Sequence, residues 1–330
     1  MKAAVLGAGF IAEFHALGYV NVPGVQLCAV CDVDAQKAKA LAEKYGCAWY
    51  ADAKELLERE SPDLVSVCLP TYLHKEYVLM ALDCGAHVLC EKPFALTMED
   101  CLAMEAAAEE AKRVLMVGQV LRWWPEYVSI AENIRRLGAP RHIMAKRLQH
   151  PSRESWHAQE RLGGGALFDL FVHDLDFVLS LMGTEVQVLS ANGSRGGGGS
   201  WRRVSAMLRF ADGTAAQIDA SSQMPAGYPF TAEFCAQYPD AAIDYRFRTA
   251  VNIERGAKAD TTFLLYEQGE VHALALSENT QEKAFCAEIA SFVQGVKEGV
   301  SPLAAQESIR VMRVVHEIRA LLEAQETENR

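Results

Sequence analysis

"KAAVLGAGFIAEF" (residues 2–14) is the stretch on which the fold turns. An apolar run from Ala3 to Leu6 leads straight into Gly7-Ala8-Gly9, and apolar positions then recur at helical spacing. A buried strand that breaks over a tight turn into a helix produces this pattern. Gly7, Gly9 and Ala12 stand in the order G-x-G-x-x-A, each for its own reason. Gly7 permits the tight turn, Gly9 admits a pyrophosphate to the backbone, and the small Ala12 lets helix and strand pack closely. The phosphates then rest on the amide-rich start of the helix, beside Phe10 and Ile11. Asp32 closes the next apolar run, "VQLCAVCD" (25–32), at the interval of ~20 residues where a carboxylate binds a ribose hydroxyl. An ordinary strand–turn–helix with a capping Asp would show similar letters, but Asp32 in that place favours a dinucleotide. Val33 follows, with no Arg or Lys to neutralise a 2′-phosphate, so the expected cofactor is NAD rather than NADP.

Outward from this turn, "DLVSVCLP" (63–70), "HVLCEKP" (87–93) and "VLMVGQV" (114–120) read as further strands. "DAQKAKALAEKYG" (34–46), "TYLHKEYVLMALDCG" (71–85) and "TMEDCLAMEAAAEEAKR" (97–113) read as the helices between them. Near-continuous apolar strands interleaved with helices indicate a parallel sheet covered on both faces. Beyond residue 121 the texture changes. The helix "PEYVSIAENIRRLG" (125–138) precedes long alternating runs, "WRRVSAMLRF" (201–210) and "TAAQIDASSQ" (214–223), which meet at an Asp212-Gly213 turn. "TAEFCAQYPDAAIDYRFR" (231–248) and "TTFLLYEQGEVHALALSE" (261–278) continue the alternation, and two helices close the chain. The expected fold is α/β: an N-terminal, doubly wound Rossmann sheet over 1–120, then a C-terminal α+β domain over 121–330 with a large, mostly antiparallel open sheet. "RGGGGS" (195–200) reads as a flexible loop.

A chain of 330 residues, half of them apolar, can build two cores. The formal charge of −11 argues against nucleic acid or an anionic membrane as partner. No apolar run reaches the ~18 residues of a membrane span, and "MKAAVLGAGFIA" is read as strand and turn rather than as a secretory leader. Nine cysteines scattered through strand-like and helix-like runs suit reduced thiols of a cytoplasmic protein. Cys28 and Cys31 fall on opposite faces of a strand, which argues against a redox pair or zinc site. No H-x-x-x-H or paired C-x-x-C points to a metal, and none is expected.

"GGGALFDLFVHDLDFVLSLMG" (163–183) is an apolar helix that carries Asp169, His173 and Asp176. At about 100° per residue, positions 173 and 176 lie roughly 40° and −20° from position 169, while Asp174 lies about 140° away. The stripe either faces solvent or lines a cleft; unpartnered charge is costly to bury, so on a largely buried helix the cleft is favoured. Lys92, in "HVLCEKPFALT" (87–97), follows an apolar strand at the edge where open parallel sheets bind ligands. Pro93 restricts Lys92 to an extended conformation and permits a cis bond. Arg153, Trp156 and His157 precede the Asp-His helix and are expected over the substrate. Trp156 either stacks on a sugar ring or nicotinamide or anchors its loop. Core packing is expected for at least one of Trp123 and Trp124, and His15 and His316 are expected to be structural or exposed.

"GAGFIAEFHA" (7–16), "LPTYLHKEYVLMALDCGAHVLCEKP" (69–93), "GQVLRWWPEY" (118–127) and "GGGALFDLFVHDLD" (163–176) occur in this order. Together with the closing "AEIASFVQGVKEG" (287–299), they resemble the glucose–fructose oxidoreductase, inositol dehydrogenase and rhizopine catabolism family (Gfo/Idh/MocA) over almost the whole chain. The resemblance implies hydride transfer between a pyridine nucleotide and a hydroxyl or keto carbon of a sugar, cyclitol or related polyol. It implies catalytic roles for Lys92, Asp169 and His173, and a cofactor loop at Pro70, Thr71 and His74, with Glu91 and Gln119 nearby. Arg122 matches a basic residue beside the substrate, and a homo-oligomer, dimer or tetramer, is implied as well. Phe285 is a departure, standing where many members carry Tyr.

Alcohol oxidation removes a hydride from carbon and a proton from oxygen, and the protein handles the proton. His173 is the expected general base, with Asp169 holding the hydroxyl or orienting the imidazole. Lys92 donates to the same oxygen, or itself takes the proton. Two other functions use the same nucleotide site: an NAD-dependent glycosidase working through transient oxidation, and a non-catalytic nucleotide or sugar sensor. A sensor has no chemical need for Lys92, Asp169 and His173 together.

Overall fold

The computed structural model describes residues 1–151, 155–249 and 259–328. These form two compact units, Met1–Trp124 with Thr280–Ile309, and Pro125–Asn279 with Arg310–Arg330.

In the first unit, strands β1 (Lys2–Leu6), β2 (Gln26–Cys31), β3 (Ala48–Tyr50), β4 (Leu64–Val67), β5 (His87–Glu91) and β6 (Leu115–Gly118) alternate with helices. The helices are α1 (Phe10–Asn21), α2 (Ala35–Tyr45), α3 (Ala53–Glu60), α4 (His74–Asp83) and α5 (Met98–Ala111). All strand pairs are parallel, in the order β3-β2-β1-β4-β5-β6. The order reverses between β1 and β4, and such a reversal opens a crevice at the carboxyl ends of the strands. Local chemistry sets the helix ends. The Asp34 side chain accepts from the Gln36 and Lys37 amides at the start of α2, and Gly46 ends that helix at φ 69°.

In the second unit, α6 (Pro125–Leu137) leads to β7 (His142–Leu148), the short α7 (Glu160–Gly163), a π-helical turn (Leu167–Phe171) and α8 (Val172–Met182). Then follow β8 (Val186–Arg195), β9 (Trp201–Phe210), β10 (Ala215–Ser221), β11 (Phe230–Gln237), β12 (Ala241–Thr249), β13 (Ala259–Glu267) and β14 (Glu270–Ala273). The eight strands run in the order β14-β13-β12-β11-β7-β10-β9-β8, antiparallel at every pair except β7 with β10. Asp212 and Gly213 form the expected turn between β9 and β10, with Asp212 Oδ1 accepting from the Thr214 amide at 2.9 Å. Asp174 lies in the core beside Arg147, which donates to both of its oxygens at 3.1 and 2.9 Å and to Tyr127 Oη at 3.2 Å. Burial pushes the Asp174 carboxyl upward and the Arg147 charge opposes it. A partnered charge is the form in which a core accepts an Asp.

The closing helices are α9 (Thr280–Glu298) and α10 (Ala305–Glu328). α9 belongs to the first unit, so the division differs from the expected 1–120 and 121–330. Packing explains why. The Phe285 ring stacks 5.0 Å from Phe14, and a Cβ on Gly18 would stand 2.6 Å from Ile289, so α9 lies tightly on α1. The glycine run 196–199 is also more than a loose loop: Gly198 O accepts from the Glu160 amide at 3.3 Å, and Gly199 bridges to Gln159. No helix among the described residues is long and apolar enough to cross a membrane.

Candidate active site

The turn between β1 and α1 is shaped for a phosphate group. Gly7 has φ 104°, and a Cβ there would stand 2.2 Å from the Cys68 carbonyl oxygen, so only glycine fits. A Cβ on Gly9 would meet nothing within 4 Å, which leaves the approach to the start of α1 open. No side chain caps that start, so its amides are left for an anion. Ala12 is fully buried, as close packing demands, and Phe10 is exposed. Asp32 Oδ2 accepts from the Ala8 amide at 2.8 Å, and Oδ1 accepts from the Asp34 amide at 2.8 Å. Each carboxylate oxygen accepts more than one hydrogen bond, so these contacts leave capacity for ribose hydroxyls. Val33 is 87 % exposed beside Asp32. These residues fit a dinucleotide.

After β4 the chain passes Pro70 into a short 3₁₀ turn, Thr71–Leu73, with Thr71 buried. His74 is buried, and both ring nitrogens lie against main-chain carbonyls of Leu69, Pro93 and Phe94. After β5, Lys92 is half-buried between buried Glu91 and Pro93, and the Lys92–Pro93 bond is cis. Glu91 turns inward, with Oε2 accepting from the Lys92 amide at 3.1 Å. Gln119 is buried, and Arg122 pairs with Glu307 at 2.8 Å within the same unit. Trp124 is buried, and Trp123 packs against the core of the first unit.

In the second unit, every residue from Gly163 to Leu179 is buried except Asp169 and His173. The Asp-His stripe is thus the open strip of an otherwise enclosed helix. Asp176, expected on the same stripe, is fully buried. The π-helical turn over Leu167–Phe171 accounts for this, because a wider turn rotates less per residue than an α-helix and carries Asp176 away from Asp169. Asp169 Oδ2 lies 3.5 Å from His157 Nδ1, and the His157 ring stacks on Trp156 at 3.6 Å. A Cβ on Gly163 would meet the Trp156 ring at 3.0 Å, so Trp156 is packed on its own loop. Arg153 lies outside the described residues. His316 sets its ring 5.7 Å from Phe168, edge-on.

Both halves of the chain match known families. Residues 1–119 match the oxidoreductase family with an NAD-binding Rossmann fold, and residues 133–249 match the GFO/IDH/MocA C-terminal domain. The chain belongs to the Gfo/Idh/MocA oxidoreductase family. It is 36 % identical over 190 residues to the D-glucoside 3-dehydrogenase of Escherichia coli, a match covering 56 % of this chain and 54 % of that relative's length. It is 27 % identical over 318 residues to the myo-inositol 2-dehydrogenase of Thermotoga maritima, covering 93 % and 91 %. Among solved structures, the UDP-N-acetylglucosamine 3-dehydrogenase of Acidithiobacillus ferrooxidans superposes with a TM-score of 0.80 at 26 % identity, over 98 % of each chain.

Within this Gfo/Idh/MocA chain, two arrangements escaped the sequence. The first is a buried cluster of His15, Glu91 and Glu288, whose nearest side-chain atoms lie within 4.8 Å of one another. His15 Nε2 is 2.9 Å from Glu91 Oε1 and Nδ1 is 2.9 Å from Ser66 Oγ, which in turn is 2.8 Å from Tyr19 Oη. A helical signal for it existed: Ala12, His15, Ala16 and Tyr19 share the face of α1 that packs inward. The second is the approach of His157 to Asp169, which depends on the path of the glycine-rich segment between them and carries no periodic signal.

Proposed function

We propose that this oxidoreductase uses NAD⁺ to oxidise a hydroxyl of a sugar or cyclitol. The observation that carries the proposal is the confinement of openness on the 163–179 segment to Asp169 and His173. A purely structural helix has no reason to open only at a carboxylate and an imidazole one turn apart. The names of the relatives, dehydrogenases of a glucoside and of an inositol, support this substrate class.

Gly7, Gly9 and the start of α1 hold the pyrophosphate, and Asp32 holds the ribose. Val33 offers no countercharge to a 2′-phosphate, which favours NAD over NADP. The bound nucleotide supplies the hydride acceptor. His173 takes the hydroxyl proton at an imidazole nitrogen, a group whose ordinary titration range lies near neutrality. Asp169 orients that imidazole, and Lys92 donates through Nζ to a substrate oxygen as negative charge develops on it. Phe285, packed against Phe14, brings no hydroxyl to the reaction.

The test is incubation with NAD⁺ or NADP⁺ and a panel of cyclitols, aldoses and aryl glycosides. Nucleotide reduction at 340 nm with a cyclitol or aldose, faster with NAD⁺, is the expected result. Release of aryl alcohol without net reduction would overturn it in favour of glycoside cleavage, and silence on both readouts would overturn catalysis altogether.

A further inference from the structure

His74 opens α4, and its ring is 1 % exposed. Nε2 lies 2.9 Å from the Leu69 carbonyl oxygen, just beyond β4. Nδ1 lies 3.0 Å from the Pro93 carbonyl oxygen and 3.4 Å from that of Phe94, just beyond β5. One ring therefore spans the two loops that follow neighbouring strands of the sheet. Its three hydrogen-bonding neighbours are all acceptors. Burial pushes the His74 pKa down, and the carbonyls raise it by less. The neutral ring carries a single N–H: on Nε2 it donates to Leu69, and on Nδ1 it donates to Pro93 and Phe94.

What Nδ1 touches is the turn that carries Lys92. Pro93 has no amide hydrogen, so its carbonyl is its only main-chain polar group. Lys92 itself is tied through its amide to Glu91 Oε2. The main chain on both sides of the Lys92 side chain is thus fastened from within the unit: upstream by a carboxylate, downstream by His74. Pro93, Phe94 and Ala95 are buried, whereas Lys92 is half-open.

We propose that His74 is a positioning residue for Lys92: its Nδ1–H donates to the Pro93 and Phe94 carbonyls and so fixes the turn from which the Lys92 ammonium reaches the reacting oxygen. The role rests on the function assigned to Lys92 above. A misplacement of about 1 Å in a catalytic group can cost ~10²-fold in rate, so a brace on this turn has a kinetic effect beyond its share of stability.

Two substitutions separate the ends of the ring. His74→Asn places an amide nitrogen where Nδ1 stands; His74→Gln reaches instead to the position of Nε2. Turnover is measured on the fastest substrate of the panel above, and NADH affinity by fluorescence titration. His74→Asn is expected to keep kcat within about threefold, and His74→Gln to lower it by about tenfold or more, with NADH affinity within about twofold in both. In a Lys92→Ala background the effect of His74→Gln on kcat is expected to shrink below about twofold, because the group being positioned is gone. If His74→Gln does not accumulate as folded protein, His74→Met, which fills the space without a donor, is read in the same way. Wild-type kcat in His74→Gln beside a slow Lys92→Ala overturns the role of His74, and so does an undiminished His74→Gln effect in the Lys92→Ala background. Wild-type turnover in Lys92→Ala alone overturns the assignment of Lys92, and with it this one.

Discussion

Nε2 of His15 lies 2.9 Å from Oε1 of Glu91 while the other oxygen of that carboxylate takes the Lys92 amide at 3.1 Å. One side chain thus links α1 to the turn after β5. Glu91→Ala leaves a buried imidazole and a main-chain amide without that acceptor, at a cost of about 1–3 kcal/mol for each orphaned group. The thermal midpoint should fall by several degrees, and by less in Glu91→Gln. An unchanged midpoint in Glu91→Ala would show that water or a neighbour replaces the carboxylate.

The two glycines of the β1–α1 turn should behave differently when each is replaced by alanine. Gly7→Ala forces a Cβ against the Cys68 carbonyl at a positive φ, so the fold itself should be destabilised. Gly9→Ala meets no protein atom within 4 Å, so the thermal midpoint of the unliganded chain should stay within about a degree of wild type while NADH affinity drops. Fluorescence titration and thermal melting read the two effects separately. Equal loss of stability in both variants would contradict the geometry of the turn.

His173→Ala and Lys92→Ala should each lower kcat by about 10²-fold or more. NADH affinity should be mostly retained in His173→Ala. Steady-state kinetics with NAD⁺ in excess provides the measurement, and full turnover in either variant would remove that residue from the mechanism.

Stability should fall as the medium is acidified below neutrality. His74, His87 and His316 have pKa values pushed below 6.5, in each case chiefly by burial. Below about pH 6.5 the unfolded chain then binds more protons than the folded one, so stability is present above that value and is lost as pH drops. His87 shows the physical reason, because its Nδ1 accepts the Val114 amide at 2.9 Å and protonation removes that acceptor. Thermal midpoints measured from pH 7.5 to pH 5 should show the loss. His87→Asn keeps an acceptor that does not titrate, so its midpoint should fall less over the same range.

The parallel sheet was legible because its strands are short apolar runs and its first turn carries glycines with separate duties. β3 and α3 were not: Ala48 and Trp49 are exposed, so the strand leaves no apolar run to read. Asp169 and His173 were legible from helical periodicity, whereas the full burial of Asp176 was not, because a π turn cannot be seen in spacing. Lys92 could be placed at a strand end from its neighbours alone. The enclosure of His74 could not, since it depends on Leu69, Pro93 and Phe94 meeting across two loops. The assignment of α9 to the first unit likewise rests on Gly18 and Ile289, far apart in the chain and joined only by packing.

That last contact has a consequence for biosynthesis. Phe14 and Gly18 receive their cover from a helix that leaves the ribosome only after the whole eight-stranded sheet has been made. Through that interval the nascent nucleotide-binding half exposes an apolar helix face, the kind of surface that chaperones hold and aggregates recruit. A fragment cut at residue 124 would lack α9 and keep that face of α1 uncovered.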